Sequence, residues 1–194
     1  MNVVRRLVSM LLLIAPVPAS AQVERPTAVW LAPTASGSQL LVALPVRSWK
    51  DMRFDGLIRQ RTDFSCGAAV LATVFNLAYG KRTTEAQILV NMLKVADPDL
   101  VKAKGFSLLD MKRYVNTVGL AAEGYQVDFD ALHQLKVPGI VLLNLRGYHH
   151  FVVLRKVTKD IVQVGDPALG NRVMSRREFL RAWNNVVFVI VGDG

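Results

Sequence analysis

The order of apolar and polar positions divides the chain into a helical first half and a strand-rich second half. In residues 67–79 the apolar positions repeat with the period of a helix that buries one face. Two more helices are predicted after Thr84 and after Ser107, because each of these residues opens a capping-box pattern. The later of the two ends at Gly119, and residues 97–105 between them are predicted to form a loop.

In the second half, short apolar runs are separated by turn residues. Strands are predicted at 121–127, 140–145, 151–154, 161–164 and 186–191. A short helix is expected at 128–135, and another after the capping box that begins at Ser175. Closely spaced strands with short polar turns pair antiparallel. Helices followed by an antiparallel sheet indicate an α+β fold, with the N-terminal helices packed on the C-terminal sheet.

The first 56 residues are predicted to lie outside the main domain. Arg5 and Arg6 precede an apolar run at 7–14, and Ala19-Ser20-Ala21 has the form of a signal-peptidase site. We therefore predict a signal peptide at residues 1–21, cleaved after Ala21, and a periplasmic or secreted protein. The apolar run is too short for a comfortable membrane span.

Residues 22–56 are then an N-terminal extension, and residues 57–194 are the main domain. The extension contains three prolines and a short apolar run at 40–44. This run is predicted to form a strand at an edge of the main sheet.

The formal net charge of +9 limits the classes of partner only loosely. Basic residues are scattered, and the densest group comprises Arg172, Arg176, Arg177 and Arg181. We interpret this group as a solvated basic face. No nucleic-acid-binding motif is present, so no nucleic-acid partner is expected. Contact with an acidic peptide, or peripheral contact with an anionic membrane, stays compatible with this charge.

Cys66 is the only cysteine, so it cannot form an intramolecular disulfide. It can be a buried core residue, an intermolecular half-cystine or a nucleophile. Its place in the first turn of the 67–79 helix, after the candidate caps Asp63 and Ser65, favours a thiolate. One cysteine and three scattered histidines give none of the usual metal-ligand spacings, so neither a metal nor another cofactor is expected.

Four polar residues are candidates to work with this sulfur or beside it. His149 and His150 begin the strand at 151–154, and alternation puts them on opposite faces, so only one can readily meet Cys66. Asp166 ends the next strand, from which a carboxylate can accept the second imidazole N–H. Gln60 can donate to the oxygen of a tetrahedral intermediate. Each also has an ordinary interpretation, as a structural histidine, an Asp-Pro turn or a polar loop residue.

Taken in order, these segments resemble the motifs of the C39 peptidases, papain-like cysteine proteases best known as the leader-removing domains of bacteriocin exporters. The resemblance lies in Gln60 with Asp63-Phe-Ser-Cys66-Gly-Ala-Ala, in His150-Phe-Val-Val-Leu, in Asp166-Pro, and in the segments 105–110 and 137–141. It extends over roughly residues 57–191. It implies a papain-like fold and a thiol-dependent endopeptidase.

The same resemblance implies a role for each candidate. Cys66 would be the nucleophile, His150 the general base and acid, Asp166 the residue that orients the imidazole, and Gln60 the oxyanion donor. The membrane and nucleotide-binding domains of the exporters are not found in these 194 residues. The chain therefore resembles the exported single-domain members, some of which accompany the assembly of surface fibres or functional amyloid.

The expected substrate is a peptide or protein outside the cytoplasm, either a secreted fibre or amyloid protein or a leader-bearing one. Secretion or fibre-assembly components are candidate partners, and a preference for double glycine is left open. Two alternatives remain: a non-catalytic substrate-binding module in a secretion system, and a papain-like amidase or transpeptidase.

Overall fold

The computed structural model describes residues 27–31 and 42–192. The predicted signal peptide at 1–21 and its cleavage site after Ala21 lie outside the described residues. The chain divides into two units, Met1–Arg47 and Ser48–Gly194.

In the first unit, strands β1 (Thr27–Leu31) and β2 (Val42–Val46) form an antiparallel two-stranded sheet. The strand expected at 40–44 is thus present, two residues later. The prediction that it forms an edge of the main sheet is wrong, because β2 pairs with β1 in a sheet of its own.

Six helices are described in the second unit. They are α1 (Trp49–Arg53), α2 (Cys66–Ala78), α3 (Glu85–Met92), α4 (Pro98–Lys104), α5 (Leu108–Thr117) and α6 (Arg176–Ala182). The capping boxes predicted at Thr84, Ser107 and Ser175 are confirmed. Each of these side chains accepts a backbone N–H three residues on, and the side chain at that position bonds back to the cap.

Two helices lie where none was predicted, and one of them, α4, replaces the loop predicted at 97–105. In α4, the Asp97 carboxylate accepts the N–H groups of Asp99 and Leu100, Pro98 occupies the first turn, and Gly105 ends the helix with φ of +76°. These residues, read as turn signals, are equally the start and stop signals of a short helix. In α1, a capping box from Ser48 has the same effect.

The sheet of the second unit has six antiparallel strands in the order β3-β8-β4-β5-β6-β7. Its strands are β3 (Ala121–Gln126), β4 (Ile140–Leu145), β5 (Tyr148–Val157), β6 (Ile161–Asp166), β7 (Gly170–Ser175) and β8 (Trp183–Val191). The predicted helix at 128–135 is a 3₁₀ helix (Asp130–Gln134). Strand β7 was not predicted, and β5 begins three residues before its predicted start. The α+β class is confirmed.

Two apolar clusters lie on the two faces of this sheet. Helix α2, buried from Cys66 to Phe75, packs with Phe151 and Val153 of β5. Val152 and Leu154, the alternate residues of β5, pack with the side chains of β6 and α6. The first residue of α2 is therefore held rigidly beside the sheet. In the described part of the chain no helix is long and apolar enough to cross a membrane.

Candidate active site

The sulfur of Cys66 stands at the first position of α2, with only 5% of the residue exposed. Ser65 occupies the cap position, but its side chain makes no capping bond. Instead its Oγ donates to the Thr62 carbonyl at 2.9 Å and accepts the Thr62 N–H at 3.2 Å. The N–H groups of the first helical turn therefore keep their capacity to stabilise negative charge.

His150 and Asp166 are joined across neighbouring strands by a hydrogen bond of 2.8 Å between Nε2 and Oδ1. The register that pairs Val153 of β5 with Gly165 of β6 puts His150 and Asp166 diagonally across one face of the sheet. Both residues are almost completely buried, at 2% and 1% exposed. The structure therefore brings the side chains of His150 and Asp166 together, as the order of their strands predicted.

The Asp166 carboxylate has four donors. Oδ1 also accepts the N–H groups of Ala168 at 2.9 Å and Leu169 at 3.0 Å, and Oδ2 accepts Nη1 of Arg172 at 3.2 Å. Burial alone would raise the pKa of Asp166, but the hydrogen bond and charge of His150 and the two backbone N–H groups lower it below its usual value. The carboxylate is therefore ionised at neutral pH.

The remaining nitrogen of His150, Nδ1, is buried and has no hydrogen-bond partner among the described residues. Burial works to lower the pKa of His150, but the hydrogen bond with Asp166 and the proximity of Asp166 and Cys66 raise it to about 9. The ring is consequently an imidazolium at neutral pH. Since Nε2 is bound to Asp166, Nδ1 is the atom left to interact with the sulfur.

The second histidine of the pair, His149, has a different environment. It is exposed, lies across from Asn144 of β4, and lines the cleft beside Cys66. Strand alternation separates the two histidines as the sequence predicted, and His150 alone is bound to Asp166.

Tyr148 is a component of this site that the sequence analysis missed. Its ring stacks on His150 with centroids 5.9 Å apart and an angle of 28° between the planes. Its hydroxyl donates to the Asp63 carbonyl at 2.7 Å, which ties the start of β5 to the loop before Cys66. Burial raises the pKa of Tyr148, and negative charge on Cys66, Asp63 and Asp166 adds to the effect.

Gln60 lies between the two halves of the site. Its backbone N–H donates to the Pro167 carbonyl at 3.0 Å, and its side-chain Nε2 donates to the Thr62 carbonyl at 3.0 Å. Oε1 is buried without a partner among the described residues. Gln60 is thus brought beside the loop that leads to Cys66, with one amide N–H engaged by that loop.

A cleft of about 870 Å³ opens next to Cys66, between the α4–α5 connection and the β4–β5 turn. The side chains on its walls are mostly apolar: Phe64, Phe106, Leu108, Leu109, Leu142 and Phe151. Such a cleft is wide enough to hold several residues of an extended peptide. In residues 27–31 and 42–192, no group of three or more His, Cys, Asp or Glu side chains is placed to hold a metal ion.

Comparison with known proteins agrees with this geometry. The model of the Peptidase C39 family matches residues 56–192. The chain is 49% identical over 154 residues to the probable functional amyloid protease FapD of Pseudomonas aeruginosa, covering 79% of this chain and 68% of that protein. Against the protein of the same description from Pseudomonas fluorescens, the identity is 45% over 170 residues, covering 84% and 75%.

Solved structures give the same result. A double glycine motif protease from an AMS/PCAT transporter, in complex with the leader peptide, matches with a TM-score of 0.60 and 27% identity, covering 71% of this chain and 91% of that one. The peptidase domain of Streptococcus ComA, at 20% identity and a TM-score of 0.59, shares the fold over 71% of this chain and 98% of its own. The chain therefore belongs to the Peptidase C39 family and is a papain-like cysteine peptidase.

Proposed function

We propose that this peptidase uses Cys66, His150 and Asp166 to cut an exported protein of a functional-amyloid system. The observation that carries the assignment of roles is the buried His150–Asp166 hydrogen bond, which leaves Nδ1 of the imidazole for Cys66, a neighbour near enough to raise the pKa of the ring. A buried imidazole–carboxylate pair of this kind, behind a cysteine that lines a peptide-sized cleft, is typical of a nucleophile with its base.

In the proposed reaction Cys66 acts as a thiolate, beside a protonated His150. The thiolate attacks the scissile carbonyl carbon, forming a C–S bond and an oxyanion. When this intermediate collapses, the C–N bond breaks and His150 Nδ1 gives its proton to the leaving amine. His150, now neutral, takes a proton from water, which attacks the thioester and releases the acid. Asp166 holds the Nε2–H throughout, so that Nδ1 is the nitrogen that transfers the proton.

Two donors can bind the oxyanion: the backbone N–H of Cys66 and the Gln60 amide. One N–H of that amide bonds to Thr62, which fixes the side chain and leaves the second N–H for the substrate oxygen. Its buried Oε1 has no partner among the described residues, so the amide is not needed there as an acceptor.

Gln60→Ala is expected to lower kcat by about 100-fold, with a smaller change in KM, because an oxyanion donor acts mainly in the transition state. Gln60→Glu is the matched control. It keeps the size of the side chain but replaces the donor with a carboxylate, so it should be at least as slow. If both variants turn over like the wild type, Gln60 has no part in binding the oxyanion.

The substrate class is inferred from the relatives. Two proteins at 49% and 45% identity are probable functional amyloid proteases, and a structural neighbour is a double glycine motif protease in complex with the leader peptide. We infer that the substrate is an exported amyloid-associated or leader-bearing protein, met in the periplasm or outside the cell after removal of residues 1–21. Secretion or fibre-assembly components are the partners that would deliver it.

This proposal is tested by comparing the exported proteins of a host that makes the wild-type chain with those of a host that makes Cys66→Ala. We expect one exported protein to persist uncut, and the purified wild-type peptidase to cut it. Sequencing the new termini shows whether a double glycine precedes the cut. A joined product would indicate a transpeptidase instead, and a substrate that binds but is never cut would indicate a binding module.

A further inference from the structure

Arg172 occupies a specific place behind the His150–Asp166 pair. The β6–β7 hairpin pairs Asp166 with Gly170 and Val164 with Arg172, so Arg172 emerges on the same face as Asp166, two residues along the neighbouring strand. Its Nη1 donates to Asp166 Oδ2 at 3.2 Å. One third of the Arg172 side chain is exposed, against 1% of the Asp166 side chain.

The two oxygens of the Asp166 carboxylate accept unequal numbers of hydrogen bonds. Oδ1 accepts three hydrogen bonds, including the one from His150, whereas Oδ2 accepts one bond from the described residues, which comes from Arg172. Removing Arg172 would leave a buried carboxylate oxygen without this partner, and such an oxygen is costly. Arg172 therefore completes the hydrogen bonding of the carboxylate on the side away from the imidazole.

The hairpin that carries Arg172 is tightly constrained. Gly170 adopts φ of +87°, in the left-handed region that favours glycine, and a Cβ at this position would lie 2.7 Å from the Arg53 carbonyl oxygen. The start of β7 is thus packed against the end of α1.

We propose that Arg172 is a positioning residue for the peptidase reaction. By binding Oδ2, it holds the Asp166 carboxylate with Oδ1 turned to His150, and its charge sets the pH range in which the Cys66–His150 pair stays ionised. This inference rests on the proposed roles of Cys66, His150 and Asp166.

Other charged groups surround this pair. Cys66 of α2 and Tyr148 of β5 lie on the imidazole side. Glu178 of α6 lies near Arg172, and its pKa is lowered by hydrogen bonds from Ser175, with smaller contributions from Arg177 and Arg172. Glu178 is itself an acceptor, bonded by Ser175, so it cannot donate to the Asp166 carboxylate in place of Arg172.

The sign of the effect separates this role from a purely structural one. A positive charge next to the pair opposes the gain of every proton that the pair binds. Without that charge, the pair takes up its second proton at a higher pH, which defines the acid limb of the profile. It also keeps its imidazolium proton to a higher pH, which defines the alkaline limb. Both limbs of a pH profile therefore move in the alkaline direction, whereas a loss of packing alone would move neither.

The test measures the rate at which iodoacetamide alkylates Cys66 in the full chain, as a function of pH and at low salt, so no substrate is needed. In Arg172→Met both limbs should move up by about half a pH unit, a modest shift because Arg172 is one third exposed. Arg172→Lys keeps the positive charge beside Asp166, and its profile should coincide with that of the wild type. Arg177→Met removes an exposed neighbouring charge, and its profile should also coincide with that of the wild type.

Arg172→Gln covers the case in which the methionine variant does not fold, because its amide can still donate to Oδ2 without a charge. The same alkaline shift is expected in it. An Arg172→Gln profile that overlays on the wild type would overturn the inference. If instead the wild-type thiol reacts like an ordinary cysteine and His150→Ala leaves its profile unchanged, the proposed function itself has failed, independently of Arg172.

Discussion

Cys66→Ala is expected to abolish peptide cleavage, with a loss of at least about 10⁴-fold in kcat, because the chain has no second cysteine to form the covalent intermediate. The fold should survive. The substitution removes one buried sulfur atom, which costs on the order of 1 kcal/mol of the free energy of unfolding. The measurement is the steady-state rate on the identified substrate, together with thermal unfolding.

Cys66→Ser is the matched control for this prediction. It keeps an atom at the sulfur position but replaces the thiolate with a hydroxyl, which is not ionised beside an imidazolium. We expect it to be inactive as well, with a melting temperature near that of the wild type. Residual cleavage by Cys66→Ala at a rate near that of the wild type would show that another residue is the nucleophile.

His150→Ala should cost at least about 10³-fold in kcat, whereas His149→Ala should stay within a few-fold of the wild type. The two residues are neighbours on β5, yet His150 is buried and bound to Asp166, and His149 is exposed at the cleft. Rates measured for both variants on one substrate give the comparison.

His150→Ala also leaves the Asp166 carboxylate without its imidazole partner, so its stability must be measured alongside its rate. His150→Gln restores a donor near that carboxylate without a transferable proton at neutral pH, and it should be equally slow. The opposite pattern, an inactive His149→Ala and an active His150→Ala, would show that the base is His149 and not His150.

The parts of the fold that could be predicted are those governed by local signals. Helix α2 follows from apolar periodicity, and α3, α5 and α6 follow from capping boxes at Thr84, Ser107 and Ser175. Helix α4 was not predicted, because Asp97, Pro98 and Gly105 are typical of a loop and equally of a short helix with an Asp cap, a proline in the first turn and a closing glycine.

Only the part of the site that depends on strand order and strand alternation could be predicted. Because β5 and β6 are consecutive antiparallel strands, His150 and Asp166 could be expected to meet. Strand β7 has no clean apolar alternation, so it was not predicted, and Arg172 was interpreted as part of a solvated basic face. Once the hairpin is known, the spacing from Asp166 to Arg172 places the guanidinium beside the carboxylate.

Tyr148 illustrates a different limit. Its hydroxyl bonds to the Asp63 carbonyl, 85 positions earlier in the chain. Nothing in the local pattern around either residue indicates this contact, because it depends on how the loop before α2 meets the start of β5. Likewise, the His150 ring is charged because Asp166 and Cys66 outweigh the effect of its burial, and only the assembled fold brings these two neighbours to it.

An NMR titration of the His150 ring reports whether the resting site holds an imidazolium between Asp166 and Cys66. In the wild type the ring should stay protonated through neutral pH and lose its proton only near pH 9. In Cys66→Ala the midpoint should fall, because the charge of the sulfur is gone. A wild-type midpoint near the ordinary histidine value of about 6.5, unchanged in Cys66→Ala, would contradict the account.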